Sequence, residues 1–483
     1  MTGEDVPKTL QKFFPKQPPV QEAGSDDSAK PAPSKAVLVV GQADSLLILG
    51  TSIPAIEKVL ARLGGGSVPA LGDLAAFQGC QLAMFRDAPL YGWINAKACI
   101  DSLTRKAAEA KDNTEAPNPF DAFSLEKIAG AIGLKGLKTV AFNCQSGAEG
   151  SQIQLYFGVP ESSRQGLFKL LVGEPKETSP PPFVPADAVK FQRWRLDGQK
   201  AWATLEKMLT DFSPQAIGAL NFVMETANAN ARDKDPGFDI RKNLIGNLGD
   251  DMIAYEKAPR SGDKLTDAPS LFLLGSPKAE QLAAALKSVF VLMSQQAGAP
   301  SEREFLGRKI FSVPLPSVPL PMASGMAASP SRTLHYAASG SYVALSTEPS
   351  MVEEYLRSSD TPRKALREIS GLTEASQKVT GPGTGLFGYD NRAETMRAVF
   401  DSLKKNPGAG APSSLGTLSS AAGIALPTGQ MKDWMDYSLL PSFDRVSKYF
   451  YFTVYGGSAN VDGISFKLFA PAPPALRGSA GGK

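Results

Sequence analysis

The sequence contains few of the residues on which most enzymes rely, and histidine is the scarcest. His335 is the only histidine among the 483 residues, and it falls in a predicted strand. Ser-His-Asp and Cys-His catalysis need an imidazole, and a histidine-based zinc or iron site needs several. No acidic cluster has the spacing of an EF-hand. We therefore predict no catalytic residue, no cofactor and no metal ligand, and we expect a protein without enzymatic activity.

Cysteine is also scarce. Cys80, Cys99 and Cys144 are the three cysteines, and no two of them have the two-residue spacing of a zinc knuckle or a redox pair. All three lie in apolar or strand-like surroundings, which favours buried thiols. A disulfide within one pair stays open as an alternative, so the cysteines do not decide the compartment.

Long runs of one residue class are missing too. Lys and Arg number 51 against 48 for Asp and Glu, and no five or six like charges stand together. This pattern argues against nucleic acid as a partner. The longest apolar stretch, residues 282–293, is interrupted by Lys287 and is too short to span a bilayer, so we predict no transmembrane segment. No signal peptide is recognisable after Met1.

What the sequence does have is an internal similarity. At a shift of 296 residues, segment 90–95 lies over segment 386–391 and matches leucine, glycine, asparagine and two aromatic positions. Four more positions agree at this shift, namely Leu49, Thr51, Glu57 and Leu60 with Leu345, Thr347, Glu353 and Leu356. At a shift of 311, a third block agrees, namely Ile153, Leu155, Phe157 and Pro160 with Ile464, Phe466, Leu468 and Pro471. Self-similarity of this kind predicts a repeated structural unit.

Both copies predict the same order of elements. A hairpin is followed by a helix, a strand containing Gly92 or Gly388, a second helix and a closing hairpin. The region between the copies alternates strands and helices with glycine-centred hairpins. We therefore predict an α+β fold of mostly antiparallel sheets covered by helices, built from an internally duplicated module.

The predicted domain organisation has six parts. They are a partial hairpin remnant with a disordered linker (1–35), repeat copy one (36–176), a proline-rich hinge (177–188), the first half of a complete unit (189–329), repeat copy two (330–471) and a disordered tail (472–483).

Copy one lacks a counterpart of the 189–329 half. Leu10, Phe14 and Pro18 fall over Leu306, Ile310 and Pro314 at the 296 shift, as though Met1 began inside a hairpin of that half. Our hypothesis is that copy one belongs to an N-terminally truncated unit and that a longer form carries about 150 further residues, a typical domain's worth. Such a form would be periplasmic or extracellular, whereas the chain as written would be cytoplasmic.

Two glycine motifs are given structural interpretations. Residues Gly383, Thr384, Gly385, Leu386, Phe387 and Gly388 spell GxGxxG, but the motif leads from a proline-containing loop into a strand rather than from a strand into a helix. Copy one has residues 87–92, DAPLYG, at the same place, so dinucleotide binding is not expected. Residues 64–66, all glycine, are interpreted as the end of a helix.

A pair of adjacent aspartates and a set of three aromatic residues each have a functional and a structural interpretation. Asp250 and Asp251 could be paired carboxylates for acid–base chemistry, but a tight turn with solvated acids before a strand is the favoured interpretation. Trp93, Trp194 and Tyr389 each precede a helix and are interpreted as equivalent core positions rather than as a ligand cage.

Three blocks resemble a known group of proteins. Segments 185–197 (PADAVKFQRWRLD), 246–251 (GNLGDD) and 438–471 (SLLPSFDRVSKYFYFTVYGGSANVDGISFKLFAP) are similar to large uncharacterised bacterial proteins grouped as domains of unknown function and often exported. The resemblance covers most of residues 36–471. It implies an extracytoplasmic location and supplies no catalytic residues.

These observations favour a non-enzymatic cell-envelope or periplasmic protein that binds or scaffolds an unknown protein partner. One alternative is a carrier that holds an apolar ligand between sheet and helices, suggested by the apolar helices at 204–226 and 282–293. A second alternative is a hydrolase that uses Asp250, Asp251 or serine residues in an unrecognised site.

Overall fold

The structure is a computed structural model that describes residues 39–112, 125–173, 176–233, 236–259, 268–293, 300–315, 332–360, 364–382, 385–405 and 439–477. The predicted hairpin remnant and linker (1–35), part of the loop before copy two (316–329) and Gly383 and Thr384 of the GxGxxG motif lie outside the described residues. Of the predicted tail, residues 472–477 are described and contain a short helix, Pro474–Arg477.

The chain divides into two compact units, Met1–Ala83 and Met84–Lys483. In the first unit, strands β1 (Val39–Ala43) and β2 (Leu46–Gly50) form an antiparallel hairpin, followed by helices α1 (Ile53–Leu63) and α2 (Ala75–Cys80).

Helix α1 of the first unit packs on its hairpin through one buried residue. Ile56 lies against Gly41 and Gly50, where a Cβ would be 3.3 Å and 3.4 Å from its side chain. The small residues of the hairpin therefore let the helix approach closely.

Within the described residues, the second unit contains one 13-stranded sheet in which every pairing is antiparallel. Its strands are β3 (Leu90–Ile94), β4 (Thr139–Gly147), β5 (Gly150–Gly158), β6 (Lys190–Trp194), β7 (Met252–Glu256), β8 (Ser270–Gly275), β9 (Ser301–Phe305), β10 (Arg308–Leu315), β11 (Arg332–Ser339), β12 (Tyr342–Ser346), β13 (Leu386–Asn391), β14 (Phe452–Ala459) and β15 (Ile464–Pro471). The spatial order is β3-β4-β5-β15-β14-β13-β6-β7-β8-β12-β11-β10-β9.

The helices of the second unit connect these strands. They are α3 (Ala96–Asp112), α4 (Leu125–Ala131), α5 (Leu167–Leu170), α6 (Gly198–Phe212), α7 (Pro214–Arg232), α8 (Ile240–Asn243), α9 (Ala279–Met293), α10 (Pro349–Asp360), α11 (Leu372–Val379), α12 (Arg392–Lys405), α13 (Phe443–Val446) and α14 (Pro474–Arg477). In the described part of the chain, none of the helices combines the length and the apolarity needed to cross a membrane. The α+β fold with antiparallel sheets is thus confirmed.

The largest core lies against the middle of the long sheet. Phe191 of β6, Ile253 of β7 and Leu273 of β8 are almost fully buried and belong to one apolar cluster with Val352 and Leu356 of α10. The alternation of buried and more exposed residues along β7 and β8 is the pattern of strands that bury one face.

The two segments predicted to be copies share their order of elements. They also share a contact between a glycine of the first strand and an aromatic residue of the second. In the triplets β3-β4-β5 and β13-β14-β15, the first strand pairs with the second and the second with the third. Gly92 faces Phe142 and Gly388 faces Tyr455, and at both glycines a Cβ would overlap the aromatic ring. These common features support the duplication, which stays a prediction.

The pairing register refines the alignment of the closing hairpins. Phe142 and Tyr455 are 313 residues apart, two more than the shift of 311 given by the sequence match. At this spacing Gln154 of β5 corresponds to Lys467 of β15, and these two residues are direct partners where β5 and β15 pair. When equivalent residues of two similar segments face each other, the segments are related by a two-fold axis, and this pairing of β5 with β15 is of that kind.

Candidate functional site

His335 lies in β11 opposite Ser312 of β10, and its Nδ1 is 2.8 Å from the serine Oγ. Burial and the neighbouring positive charge of Arg303 lower the pKa of the imidazole, while Glu348 acts in the opposite direction. Hydrogen-bond contact between a serine and a histidine meets the first geometric requirement of Ser-His chemistry. The two side chains lie in the middle of paired strands, where such a contact also serves as a cross-strand hydrogen bond.

The two adjacent aspartates belong to a network of charged side chains, so the predicted solvated turn is wrong for Asp251. Arg193 donates hydrogen bonds to Asp251 through Nε at 3.0 Å and Nη2 at 2.7 Å, and Arg195 donates through Nη1 at 2.8 Å. The Tyr342 hydroxyl donates to the same carboxylate at 2.6 Å. Asp251 therefore accepts from three side chains while only 8% of its side chain is exposed.

Asp250 is more exposed and is also ion-paired. Lys176 donates to its Oδ2 at 2.5 Å, and Arg195 Nη2 is 3.4 Å from the same oxygen. The hydrogen bond from Lys176 lowers the pKa of the Asp250 carboxyl despite partial burial. A carboxyl that stays ionised in this way is a poor general acid near neutral pH. The structure brings both aspartates together with arginines that neutralise them, which is the arrangement of a structural network.

Of the three aromatic residues singled out in the sequence, Trp194 and Tyr389 lie in the paired strands β6 and β13, whereas Trp93 lies in β3. Tyr389 is almost fully buried, as predicted for a core position, while Trp93 and Trp194 are only partly buried. No disulfide joins Cys80, Cys99 and Cys144.

A pocket that the sequence indicated only indirectly lies between three helices of the second unit. Helix α6 is capped at its start by Asp197, whose side chain accepts from the amides of Gln199 and Lys200, both at 3.0 Å. Helix α7 follows at once, capped by Ser213 with proline in its first turn. This tight junction places α7 beside α6, and α4 packs against α6 as well.

The walls of this pocket are almost entirely apolar. The cavity has a volume of about 420 Å³, within the range of roughly 300–1,000 Å³ typical of small-molecule sites. Its main apolar lining residues are Ile128 of α4, Trp202, Leu205, Leu209 and Phe212 of α6, and Leu220 of α7. Residues 202, 205, 209 and 212 share one face of α6 because they follow the helical period. We call this cavity the apolar pocket.

Two polar groups border the apolar pocket. Glu206 is neutralised by Arg241, whose Nη1 is 2.7 Å from the carboxylate. The indole Nε1 of Trp202 is buried and makes no hydrogen bond within the described part of the chain. A buried donor of this kind costs free energy unless a polar atom reaches it.

A second pocket of about 520 Å³ lies on the neighbouring face of α6 and shares Ala131 and Met208 with the first. Its charged lining residues are Arg164, Lys169, Lys200, Lys207 and Asp211. We call this cavity the basic pocket.

Three of the basic side chains that line the basic pocket have partners within the protein. Lys207 pairs with Asp211 at 2.8 Å, and Arg164 donates to the backbone oxygens of Val159, Asn460 and Gly463. Lys200 Nζ lies 3.8 Å from a carboxylate oxygen of Asp197, and both Lys169 and Lys200 are more than a third exposed. The surplus of positive charge favours a negatively charged group beside the apolar pocket.

The apolar character of α6 was visible in the sequence, but its partner α4 was not predicted. The pocket needs α4 and α7 to meet α6, and such contacts depend on the tertiary fold. Within the described residues, no group of three or more His, Cys, Asp or Glu side chains could hold a metal ion. Comparison with known proteins finds no matching family model, no matching curated protein and no matching solved structure.

Proposed function

We propose that this protein is a carrier that binds an apolar ligand with an anionic end group. The observation that supports this most directly is the apolar pocket of about 420 Å³ between α4, α6 and α7. The ligand lies between helices in this proposal, not between sheet and helices as the sequence suggested. The hydrocarbon part would fill the apolar pocket, where burial of apolar surface contributes about 25 cal/mol per Å².

The anionic end is proposed from the neighbouring charges. Lys169 and Lys200 line the basic pocket that adjoins the apolar one along α6. A carboxylate there would gain from the positive potential of these lysines. The lysines would hold the anionic end of the ligand by charge, and we propose binding without catalysis.

Native mass spectrometry tests the carrier proposal with three ligands of equal chain length. Dodecanoate, dodecanol and dodecyltrimethylammonium would each be incubated with the intact protein. We expect a one-to-one complex with dodecanoate, a weaker one with dodecanol and none with the cation. Equal binding of all three ligands, or of none, would contradict the proposal.

A pair of matched variants shows whether binding occurs in the apolar pocket. Leu205 is 43% exposed and lines the pocket, whereas Leu103 of α3 is 58% exposed and is not among its lining residues. Leu205→Gln should reduce dodecanoate affinity at least tenfold, and Leu103→Gln should leave it unchanged. Equal affinities of the two variants would place the ligand elsewhere.

A second proposed function is a non-enzymatic binding or scaffold protein of the cell envelope. The 13-stranded sheet favours it, because a sheet of this length offers extended surfaces and two terminal strands. The envelope location is proposed on the resemblance to exported bacterial proteins. Cell fractionation followed by immunoblotting tests it, and recovery in the cytoplasmic fraction alone would exclude it.

Hydrolase activity is the remaining alternative, and the contact between Ser312 and His335 gives it a specific test. An esterase, phosphatase and glycosidase panel on the intact protein should show no turnover. Activity that is lost in His335→Gln would overturn the proposal of a non-enzymatic protein.

A further inference from the structure

The basic pocket carries more positive charge than one carboxylate would balance. The side chains of Arg164, Lys169 and Lys207 line it with three positive charges. Asp211, which pairs with Lys207 at 2.8 Å, supplies one negative charge. These four lining residues therefore have a surplus of two positive charges, which attracts an anion of matching charge.

The guanidinium of Arg164 is held in place by contacts that do not cancel its charge. Its Nε donates to the Val159 carbonyl at 3.1 Å, and its Nη2 donates to the carbonyls of Asn460 and Gly463. The three acceptors are neutral backbone oxygens from separate parts of the chain. The positive charge is thus fixed at the pocket wall before any ligand binds, and Nη1 takes part in none of the three contacts.

The lysines of the basic pocket are less constrained than the arginine. Lys169 lies in α5 and is exposed. Lys200 Nζ lies 3.8 Å from a carboxylate oxygen of Asp197, so this pair leaves the surplus of two charges unchanged. An ammonium group on a flexible stem can follow the oxygen atoms of a ligand, whereas the anchored guanidinium offers a fixed point of attachment.

The basic pocket is also larger than a carboxylate requires. Its volume is about 520 Å³, whereas one water molecule takes about 30 Å³ in the liquid. A carboxylate, which is the size of a few water molecules, would leave most of this space to solvent. A bulkier anionic end group uses more of the cavity and reaches more of its basic side chains.

The two pockets are placed for a single ligand with two parts. Ala131 of α4 and Met208 of α6 line both of them. Alanine has a short side chain, and methionine is unbranched and adapts its shape to what lies beside it. A hydrocarbon chain in the apolar pocket can therefore continue past these two residues into the basic pocket.

We propose that the end group held in the basic pocket is a phosphate monoester on a single hydrocarbon chain. This inference rests on the carrier function proposed above and names the class of its ligand. Near pH 7 a phosphate monoester carries about −1.5 to −2 charge units and three acceptor oxygens. This charge matches the surplus of two positive charges, and the oxygens match three cationic donors, Arg164, Lys169 and Lys207. A carboxylate, with one charge, would balance half of the surplus.

Isothermal titration calorimetry of the intact protein in phosphate-free buffer at pH 7.5 separates charge from shape. Dodecyl phosphate carries close to two charges, dodecyl methyl phosphate keeps the tetrahedral phosphate with one charge, and dodecanoate has one charge on a carboxylate. With each ligand below its critical micelle concentration, we expect dodecyl phosphate to bind about tenfold more tightly than the other two, because charge-assisted hydrogen bonds are worth at least that factor.

The outcomes distinguish this inference from the carrier proposal. Equal affinities for dodecyl phosphate and its methyl ester would overturn the phosphate monoester and leave the carrier proposal intact. Failure of all three ligands to bind would contradict both. Inorganic phosphate at an equal concentration should not displace dodecyl phosphate, because it lacks the hydrocarbon chain. Displacement would identify free phosphate as the ligand and would also overturn the inference.

Two single substitutions should change the affinity for dodecyl phosphate in opposite directions. Lys169→Met removes a positive charge and should weaken binding about tenfold, whereas Asp211→Asn removes the negative charge and should strengthen it. Lys278→Met is the control, at an exposed lysine that is not among the lining residues of either pocket, and should leave the affinity unchanged. Circular dichroism verifies that each variant is folded. An affinity in Lys169→Met equal to that of the wild-type protein would exclude the basic pocket as the phosphate site.

Discussion

The guanidinium of Arg193 donates to both carboxylate oxygens of Asp251, and the two side chains are 9% and 8% exposed. Asp251 precedes β7, and it also accepts from Tyr342 at the start of β12, on the far side of β8. The Gly275 amide donates to the backbone carbonyl of Asp251 at 2.7 Å, and glycine permits this approach because a Cβ there would lie 2.6 Å from that oxygen. Hydrogen bonds to Asp251 therefore connect β6, through Arg193, and β12, through Tyr342, with the start of β7.

Asp251→Asn should destabilise the second unit strongly. The substitution removes the charge that neutralises two buried or partly buried guanidinium groups, and losing one partner of a buried pair costs about 3–5 kcal/mol. Urea unfolding followed by circular dichroism measures the change. Asp101→Asn is the control, because its pairing with Lys97 is exposed and is worth less than about 1 kcal/mol. Equal effects of the two variants would contradict a structural role for the Asp251 network.

Stability should fall as the pH decreases through the range in which histidine titrates. Burial and Arg303 lower the pKa of His335 in the folded protein, so the unfolded chain, with a pKa near 6.5, binds the proton more readily. The loss begins near that unfolded value and levels off below the folded pKa. Because His335 is the only histidine, its contribution can be isolated. Urea unfolding between pH 7.5 and 5 should show a decline that is smaller in His335→Gln, and an identical decline in both proteins would contradict this assignment.

Gly388→Ala should destabilise the sheet because the added methyl group would overlap the Tyr455 ring. Overpacking of this kind costs roughly 1–3 kcal/mol. Gly218 of α7 is the matched control, since a Cβ there meets no atom within 4 Å. In a helix, glycine is less favourable than alanine by about 0.5–1 kcal/mol, so Gly218→Ala should stabilise. Thermal unfolding of both variants should therefore give shifts of opposite sign.

The three cysteines should differ in their reactivity towards iodoacetamide. Cys99 is exposed, Cys144 is partly buried and Cys80 is buried. Thiol alkylation needs access to the sulfur, so Cys99 should react first and Cys80 only slowly. Peptide mass spectrometry after timed alkylation gives the order, with fully denatured protein as the control. Rapid alkylation of Cys80 in the folded protein would contradict its burial.

Most individual helices and strands could be predicted from local patterns. The strand at residues 386–391 and the helices that begin at Pro214 and Pro349 stand where the alternation and helix-start residues indicated them. These elements depend on side-chain periodicity and on caps within a few residues, which the sequence carries directly. The short helix α4 was missed, because its seven residues are too few for a clear period.

The candidate site could be predicted less well. The sequence showed apolar positions on α6, but it gave no sign that α4 would lie beside them about 70 residues earlier in the chain. Asp251 illustrates the same limit. Its partners Arg193 and Tyr342 are 58 and 91 residues away, so the sequence favoured a solvated acid where the structure has a buried ion pair.

The sequence by itself determined the α+β class, the order of the elements and the scarcity of groups for histidine-based chemistry, since all three follow from composition and short-range patterns. Only the tertiary structure decided that β5 and β15 pair and that, in the part of the chain that is described, one sheet of 13 strands runs from β3 to β9. Strand neighbours are chosen by the packing of whole faces and by backbone hydrogen bonds between distant segments. Residue periodicity predicts that a strand has a buried face, but it does not predict which strand pairs with it.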